Sequence, residues 1–393
     1  MSLVGTGETM VACLTPPGKA AIATLSLWGP RAWDVVRQLF RARRGRQPQL
    51  PAKPERGPLW FGQLGEATSE EVVVTLKEAG PVPGVEIHCH GGHEVIRLLL
   101  ETLAAQDVQV CSWQELFRRT STDTLRSAAA IALADAITVR TAAILLDQYH
   151  GALDRAIQTI LTCWAEGESE TGSRLLQDLV RHVDLGRHLT SPWRLVVAGA
   201  PNVGKSSLIN ALAGYQRCVV AHTPGTTRDL VTVSIAIDGW PIELTDTAGL
   251  RPTAERLEEQ GMDRARQAVE AADLCLWVLD GSAPPVWPAD QTQTMRFVVN
   301  KVDLEAAWDW DQAAGAVPVS ALTASGLAEL CDAVSGWLVP QVPPPGAAVP
   351  FTPQLSAQIE AAWRCHAAGH AEEARQILAT MRCSPSEPGR TSG

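Results

Sequence analysis

The segment WRLVVAGAPNVGKSSLINALAG, residues 193–214, constrains this chain more than any other. An apolar run is followed by two glycines with four residues between them, then Lys205, Ser206 and a helix-forming run. Between Gly199 and Ser206 it matches G-x-x-x-x-G-K-[ST], in the order strand, loop, helix that this pattern requires. Glycines let the N–H groups around Asn202, Val203, Gly204 and Ser207 converge on phosphates, and the helix N-terminus adds positive potential. Lys205 neutralises β- and γ-oxygens, and the Ser206 hydroxyl is a ligand for Mg²⁺. The bland alternative is a glycine-rich turn with no ligand.

Three downstream segments argue against that alternative. Asp246-Thr-Ala-Gly249 begins at the end of the run PIELTDT, Asn300-Lys301-Val-Asp303 ends RFVVNKVD, and Ser320-Ala321-Leu322 begins at the end of AVPVSA. With LVTVSIAI and LCLWVLD as further strands, and SSLINALAG, AERLEEQGMDRARQAVEAA and SGLAELCDAVSGWLV as helices, residues 193–340 predict a mostly parallel sheet covered on both faces. Asp238-Gly239 predicts one hairpin and one antiparallel strand. Ligands of such sheets sit at the carboxyl ends of the strands, where all of these segments converge. Asp246 is placed to hold Mg²⁺, and the Gly249 N–H to sense a γ-phosphate. Asp303 accepts from guanine N1–H and the 2-amino group, Asn300 faces the base edge and Lys301 lies along the ring. Adenine lacks the 2-amino donor, so a carboxylate here favours GTP over ATP. Thr227, in Gly225-Thr-Thr-Arg-Asp229, is the expected switch ligand to Mg²⁺ and γ-phosphate. Leu250 stands where Ras-like proteins carry a water-positioning Gln, so water must be oriented from elsewhere. The spacing is similar to that of the translation-factor-like GTPases.

The remaining sequence divides into two regimes. Residues 1–118 alternate strand-like and helix-like runs and predict a small α/β or α+β domain, interrupted by the Pro-, Gly- and Arg-rich loop 41–58. Residues 124–166 predict one long helix or two consecutive ones, QVPPPGAAVP (341–350) a linker, 353–382 further helix and SPSEPGRTSG a frayed tail. Against 43 acidic residues stand 33 basic ones, for a net charge of −10, which opposes a broad basic surface for nucleic acid. Only five of those basic residues are Lys, and two of the five, Lys205 and Lys301, lie in the nucleotide motifs. The nine Cys show no C-x-x-C spacing and read as reduced, mostly buried thiols. No apolar run approaches the ~18 residues of a membrane span and no signal peptide is evident, so a cytoplasmic protein is expected. His88-Cys-His90-Gly-Gly-His93 offers three conceivable metal ligands without an evident fourth, and a structural segment is the simpler reading. Arg41, Arg43, Arg44, Arg46, Lys53 and Arg56 read as a solvated loop rather than an RNA contact.

The whole resembles the tRNA-modification GTPases (MnmE/TrmE). The residues that carry the resemblance are MVACLTPPGKAAIATLSLWGP and VEIHCHGGHEVIRLLLETL, then GAPNVGKSSLINALAG, HTPGTTRDL, DTAGLR and EEQGMDRAR. It implies an α/β protein whose P-loop GTPase domain (193–340) is inserted in a shortened helical domain (119–192 and 345–383), after an N-terminal folate-binding-like dimerisation domain (1–118). It further implies a homodimer, a tetrahydrofolate derivative as one-carbon donor, and modification of tRNA wobble uridine at C5 with the flavin-dependent MnmG/GidA protein. K⁺ would be held by Asn202 and the carbonyls of residues 221–225, and Glu258 would orient the attacking water. The chain departs from the family in lacking a terminal Cys-Ile-x-Gly-Lys, in Pro81-Val-Pro-Gly84 and in SWQELFRRTSTDTL. A GTP-regulated switch or assembly module without the tRNA chemistry is therefore the second reading.

Overall fold

A computed structural model describes residues 7–42, 49–53, 55–65, 68–216, 232–246 and 267–382. The chain divides into two compact units, residues 1–128 with 380–393, and residues 129–379.

The first unit is built on a seven-stranded sheet of order β3-β4-β5-β6-β2-β1-β7. Its strands are β1 (Met10–Cys13), β2 (Ile22–Trp28), β3 (Phe40–Ala42), β4 (Leu59–Leu64), β5 (Glu70–Glu78), β6 (Gly84–His90) and β7 (Gln109–Val110). All neighbours pair antiparallel except β1 and β7, so the unit is of the α+β kind. Period-two burial follows from the alternation of side chains along a strand. Val72, Val74 and Leu76 of β5 and Val85, Ile87 and Cys89 of β6 point into one core. Helices α1 (Ala32–Leu39) and α2 (His93–Ala104) close that core with Trp33, Val36, Leu39, Leu99 and Leu103. α3 (Trp113–Thr120) lies over β1 through Leu116. The alternation leaves the histidines of HCHGGH outside that core. His88 Nδ1 lies 3.0 Å from Thr24 Oγ1, His90 pairs with Glu70, and His93 is 89% exposed. Among the described residues no three His, Cys, Asp or Glu side chains form a metal-binding group.

The second unit contains a six-stranded sheet of order β13-β12-β11-β8-β10-β9. These are β8 (Trp193–Gly199), β9 (Thr232–Ile237), β10 (Trp240–Asp246), β11 (Leu274–Asp280), β12 (Met295–Asn300) and the two-residue β13 (Val317–Pro318). Every pairing is parallel except β9 with β10. That pair turns at Asp238 (φ +50°) and Gly239 (φ +76°), the two left-handed residues that a tight hairpin demands. α9 (Lys205–Gln216) and α10 (Leu327–Leu338) pack through Leu208, Leu212, Leu330 and Val334.

Residues 124–166 form three helices, not one or two: α4 (Thr124–Ala134), α5 (Val139–Tyr149) and α6 (Ala152–Ala165). The extra break arises at Thr138. Its hydroxyl accepts from Thr141 N at 3.2 Å and donates to Gly239 O at 2.6 Å, so helix capping and a long-range contact together outweigh continuation of the helix. α7 (Ser169–Arg181), α8 (Val183–Arg187) and α11 (Pro353–Ala367) complete a helical layer of this unit, and α12 (Ala371–Arg382) follows. The chain thus returns to the helices after leaving the sheet. Gln148 of α5 bonds Ala347 O and Val349 N, and Arg187 reaches Glu360 at 2.8 Å. No helix among the described residues is long and apolar enough to cross a membrane.

Candidate nucleotide site

β8 is buried along nearly its whole length, as a central parallel strand must be, and it delivers the chain at Gly199 into the loop before α9. Gly199 (φ +141°) and Gly204 (φ +93°) occupy backbone regions that suit glycine, and a Cβ on Gly204 would collide with Asn300 Nδ2. Between them Asn202, at φ +64°, sits exposed on the loop, while Val203 turns inward. Lys205 opens α9 and is buried, and its Nζ donates to the carbonyls of Gly199 (3.0 Å) and Ala200 (2.8 Å). The cation therefore lies over its own loop, where phosphate oxygens are the natural substitutes for those carbonyls. Ser206 Oγ donates to Asp246 Oδ2 across 2.5 Å, and Ser207 is exposed in the same first turn. Parallel pairing of β10 with β8 brings Asp246 there, with Asp246 opposite Val197.

Two strands away, parallel registry sets Asp280 of β11 opposite Asn300 of β12. Asn300 is 2% exposed. Its Nδ2 donates to Val203 O at 2.9 Å and its Oδ1 accepts from Ala321 N at 3.0 Å. Both polar atoms of this side chain thus bond loops of the protein. Asp303 is exposed, and its Oδ1 accepts from the hydroxyl of buried Ser320 at 2.5 Å. Ser320 Oγ in turn accepts from Thr323 N. Lys301 Nζ donates to Asp280 Oδ2 at 2.6 Å.

Asn202, Val203, Gly204, Lys205, Ser206, Ser207, Asp246, Asn300, Lys301, Asp303, Ser320 and Ala321 thus lie at the carboxyl end of one sheet. Thr227, Gly249, Leu250, Glu258 and residues 221–225 lie outside the described residues. Asp280, which accepts from Lys301, and Ser282, whose N and Oγ donate to Asp280 Oδ1, stand beside these residues and are not among the sequence candidates. The available signal was the parallel between LWVLD and RFVVN, two apolar runs each ending in one polar residue.

Mg²⁺ prefers hard oxygen ligands and keeps several waters. A hydroxyl and a carboxylate that already share a hydrogen bond, Ser206 and Asp246, form such a donor set.

Residues 194–306 match the model of a 50S ribosome-binding GTPase, and residues 9–122 match that of the GTP-binding protein TrmE N-terminus. The chain is 31% identical to a tRNA modification GTPase MnmE of Thermotoga petrophila over 83% of this chain and 81% of that one. Identity to the protein of that name from Thermus thermophilus is 32%, over 83% and 82% of the two chains. For Phenylobacterium zucineum it is 30%, over 98% of this chain and 95% of the relative.

Proposed function

The chain belongs to the tRNA modification GTPase family, MnmE/TrmE, and from that membership we propose a division of labour among its residues. It is a GTP-binding and GTP-hydrolysing enzyme of the α/β P-loop class. Lys205 and the amides of Val203 to Ser207 bind the phosphates. Ser206 and Asp246 hold Mg²⁺, with Thr227 as a further ligand; the ion would neutralise charge developing on the β- and γ-oxygens. Gly249 senses the γ-phosphate and Glu258 orients the attacking water. Asp303 reads the guanine edge, held by Ser320, while Asn300, Lys301 and Ala321 shape the base pocket.

The observation that carries this reading is the pair of hydrogen bonds from Asn300. One side chain ties the phosphate loop at Val203 to the Ala321 loop, so phosphate and base recognition share a rigid frame. Purified protein should bind GTP in preference to ATP and hydrolyse it with Mg²⁺. Equal affinity for the two nucleotides would remove Asp303 from its role.

The finer proposals follow the family. Asn202 offers its amide oxygen to K⁺, together with carbonyls of residues 221–225, so hydrolysis should be faster in K⁺ than in Na⁺. Residues 1–118 bind a tetrahydrofolate derivative and form a homodimer, residues 119–192 and 345–383 make a discontinuous helical domain, and 193–340 are the G domain. The target is C5 of the tRNA wobble uridine, modified in the cytoplasm with MnmG/GidA. Pro81-Val-Pro-Gly84 and SWQELFRRTSTDTL replace family segments and favour, as a second reading, a GTP-regulated switch without the tRNA step. Nucleoside analysis of tRNA from a deletion strain separates the two, because only the first requires loss of the modified uridine.

A further inference from the structure

The turn after β12 places Lys301 at φ +66°, a backbone region that a residue with a Cβ occupies at a cost. The Lys301 ammonium meets Asp280 Oδ2 at 2.6 Å, and the Asp280 side chain is only 13% exposed. Asp280 Oδ1 is also engaged, accepting from Ser282 N at 2.9 Å and from Ser282 Oγ at 2.7 Å. Burial alone would raise the Asp280 pKa. The hydrogen bonds from Lys301 and Ser282 outweigh it and hold the carboxyl below the usual range.

The main chain around Asp280 is braced as well. Trp308 Nε1 donates to Asp280 O at 2.8 Å, and Gly281 N donates to Asn300 O at 2.8 Å. Trp308 lies in a small aromatic cluster, with Trp287 at 5.9 Å between ring centroids and Trp310 nearby. The carboxylate therefore stands on a packed support, aimed at one cation. In sequence Lys301 stands between Asn300 and Asp303, two residues assigned to the base site.

We infer that Asp280 is a positioning residue for base recognition, holding the Lys301 ammonium so that the lysine stem forms one wall of the purine pocket. This rests on reading the site as one for a guanine nucleotide. Asp280 touches neither base nor phosphate; it acts through Lys301. Its effect belongs to the base end of the ligand and leaves phosphate binding alone.

A double-mutant cycle on the full chain tests this, with affinities measured for GDP and for inorganic tripolyphosphate. Asp280→Asn should weaken GDP about tenfold, because the ion pair that holds the Lys301 ammonium becomes a weaker hydrogen bond to an uncharged amide oxygen. It should leave tripolyphosphate affinity unchanged, and Asp280→Glu should recover part of the loss. In a Lys301→Ala background the same Asp280→Asn change should cost nothing further. Ser282→Ala, which loosens the carboxylate without removing its charge, should act in the same direction at about threefold. The inference is overturned if Asp280→Asn and Ser282→Ala both bind GDP like wild type. It is equally overturned if Asp280→Asn weakens GDP and tripolyphosphate by the same factor, or if its effect persists without Lys301. Wild-type protein that binds ATP as tightly as GTP would instead take down the guanine reading, and this inference with it.

Discussion

The side-chain amide of Asn300 donates to the carbonyl of Val203 across 2.9 Å, joining the end of β12 to the loop that follows β8. β11 lies between these two strands, so the bond bridges across it at the carboxyl end of the sheet. Asn300→Ala removes this bond and the one to Ala321 N, leaving buried backbone groups without their partner. Stability should fall by about 3 kcal/mol, read from urea denaturation, with a parallel loss of GDP affinity. A variant as stable as wild type would mean that other groups take over both contacts.

Glycine substitutions in the same region should separate cleanly. Gly204→Ala must place a Cβ at φ +93° against Asn300 Nδ2, so nucleotide binding should be lost. Gly214→Ala, on α9 with nothing within 4 Å of the added carbon, should stabilise by about 0.5–1 kcal/mol. Thermal melts and GDP titrations of both proteins provide the comparison.

Ser206→Ala keeps the backbone amides of α9 but removes the hydroxyl that donates to Asp246. Nucleotide affinity should become nearly independent of Mg²⁺, and hydrolysis should fall by about a hundredfold or more. Undiminished Mg²⁺ dependence would reassign the metal to other ligands.

Asp303→Asn exchanges an acceptor pair for an acceptor and a donor. Preference should shift from GTP toward XTP, whose 2-oxo group accepts where guanine donates, by at least about tenfold. Retained GTP selectivity would show that Asp303 is held by Ser320 for structural reasons alone.

The buried thiols should be inert. Burial pushes the Cys275 thiol up to about 12 and, with Glu70 and Cys13 adding to the effect, the Cys89 thiol up to about 11. At pH 8 only about one Cys89 in a thousand would be thiolate, so alkylation in the native protein should be very slow and should accelerate in urea. The sign for stability follows from linkage. A thiol whose folded pKa is raised favours the folded state below the unfolded value near 8.5, and that contribution is lost as pH rises beyond it. Rapid native-state alkylation of Cys275 would contradict the burial seen here.

The sequence by itself determined the local pieces and their order. GAPNVGKS specifies a strand, loop and helix because its glycines, with Asn202, accept the positive φ angles of the loop, and Asp238-Gly239 specifies its hairpin because Asp and Gly both tolerate the left-handed region. The alternation in EVVVTLKE and VEIHCH specifies which side chains of β5 and β6 face the core. Such features depend on neighbours within a few residues, so they are legible in one dimension. The division of residues 124–166 into three helices was not, because the break at Thr138 is secured by Gly239, 101 residues away. Nor was the direction in which Asn300 spends its amide, nor the partner of Lys301. Asp280 lies 21 residues before that lysine, and only the parallel registry of β11 with β12 brings the two together. Motifs supply the chemical groups; the sheet decides which of them are within hydrogen-bonding distance.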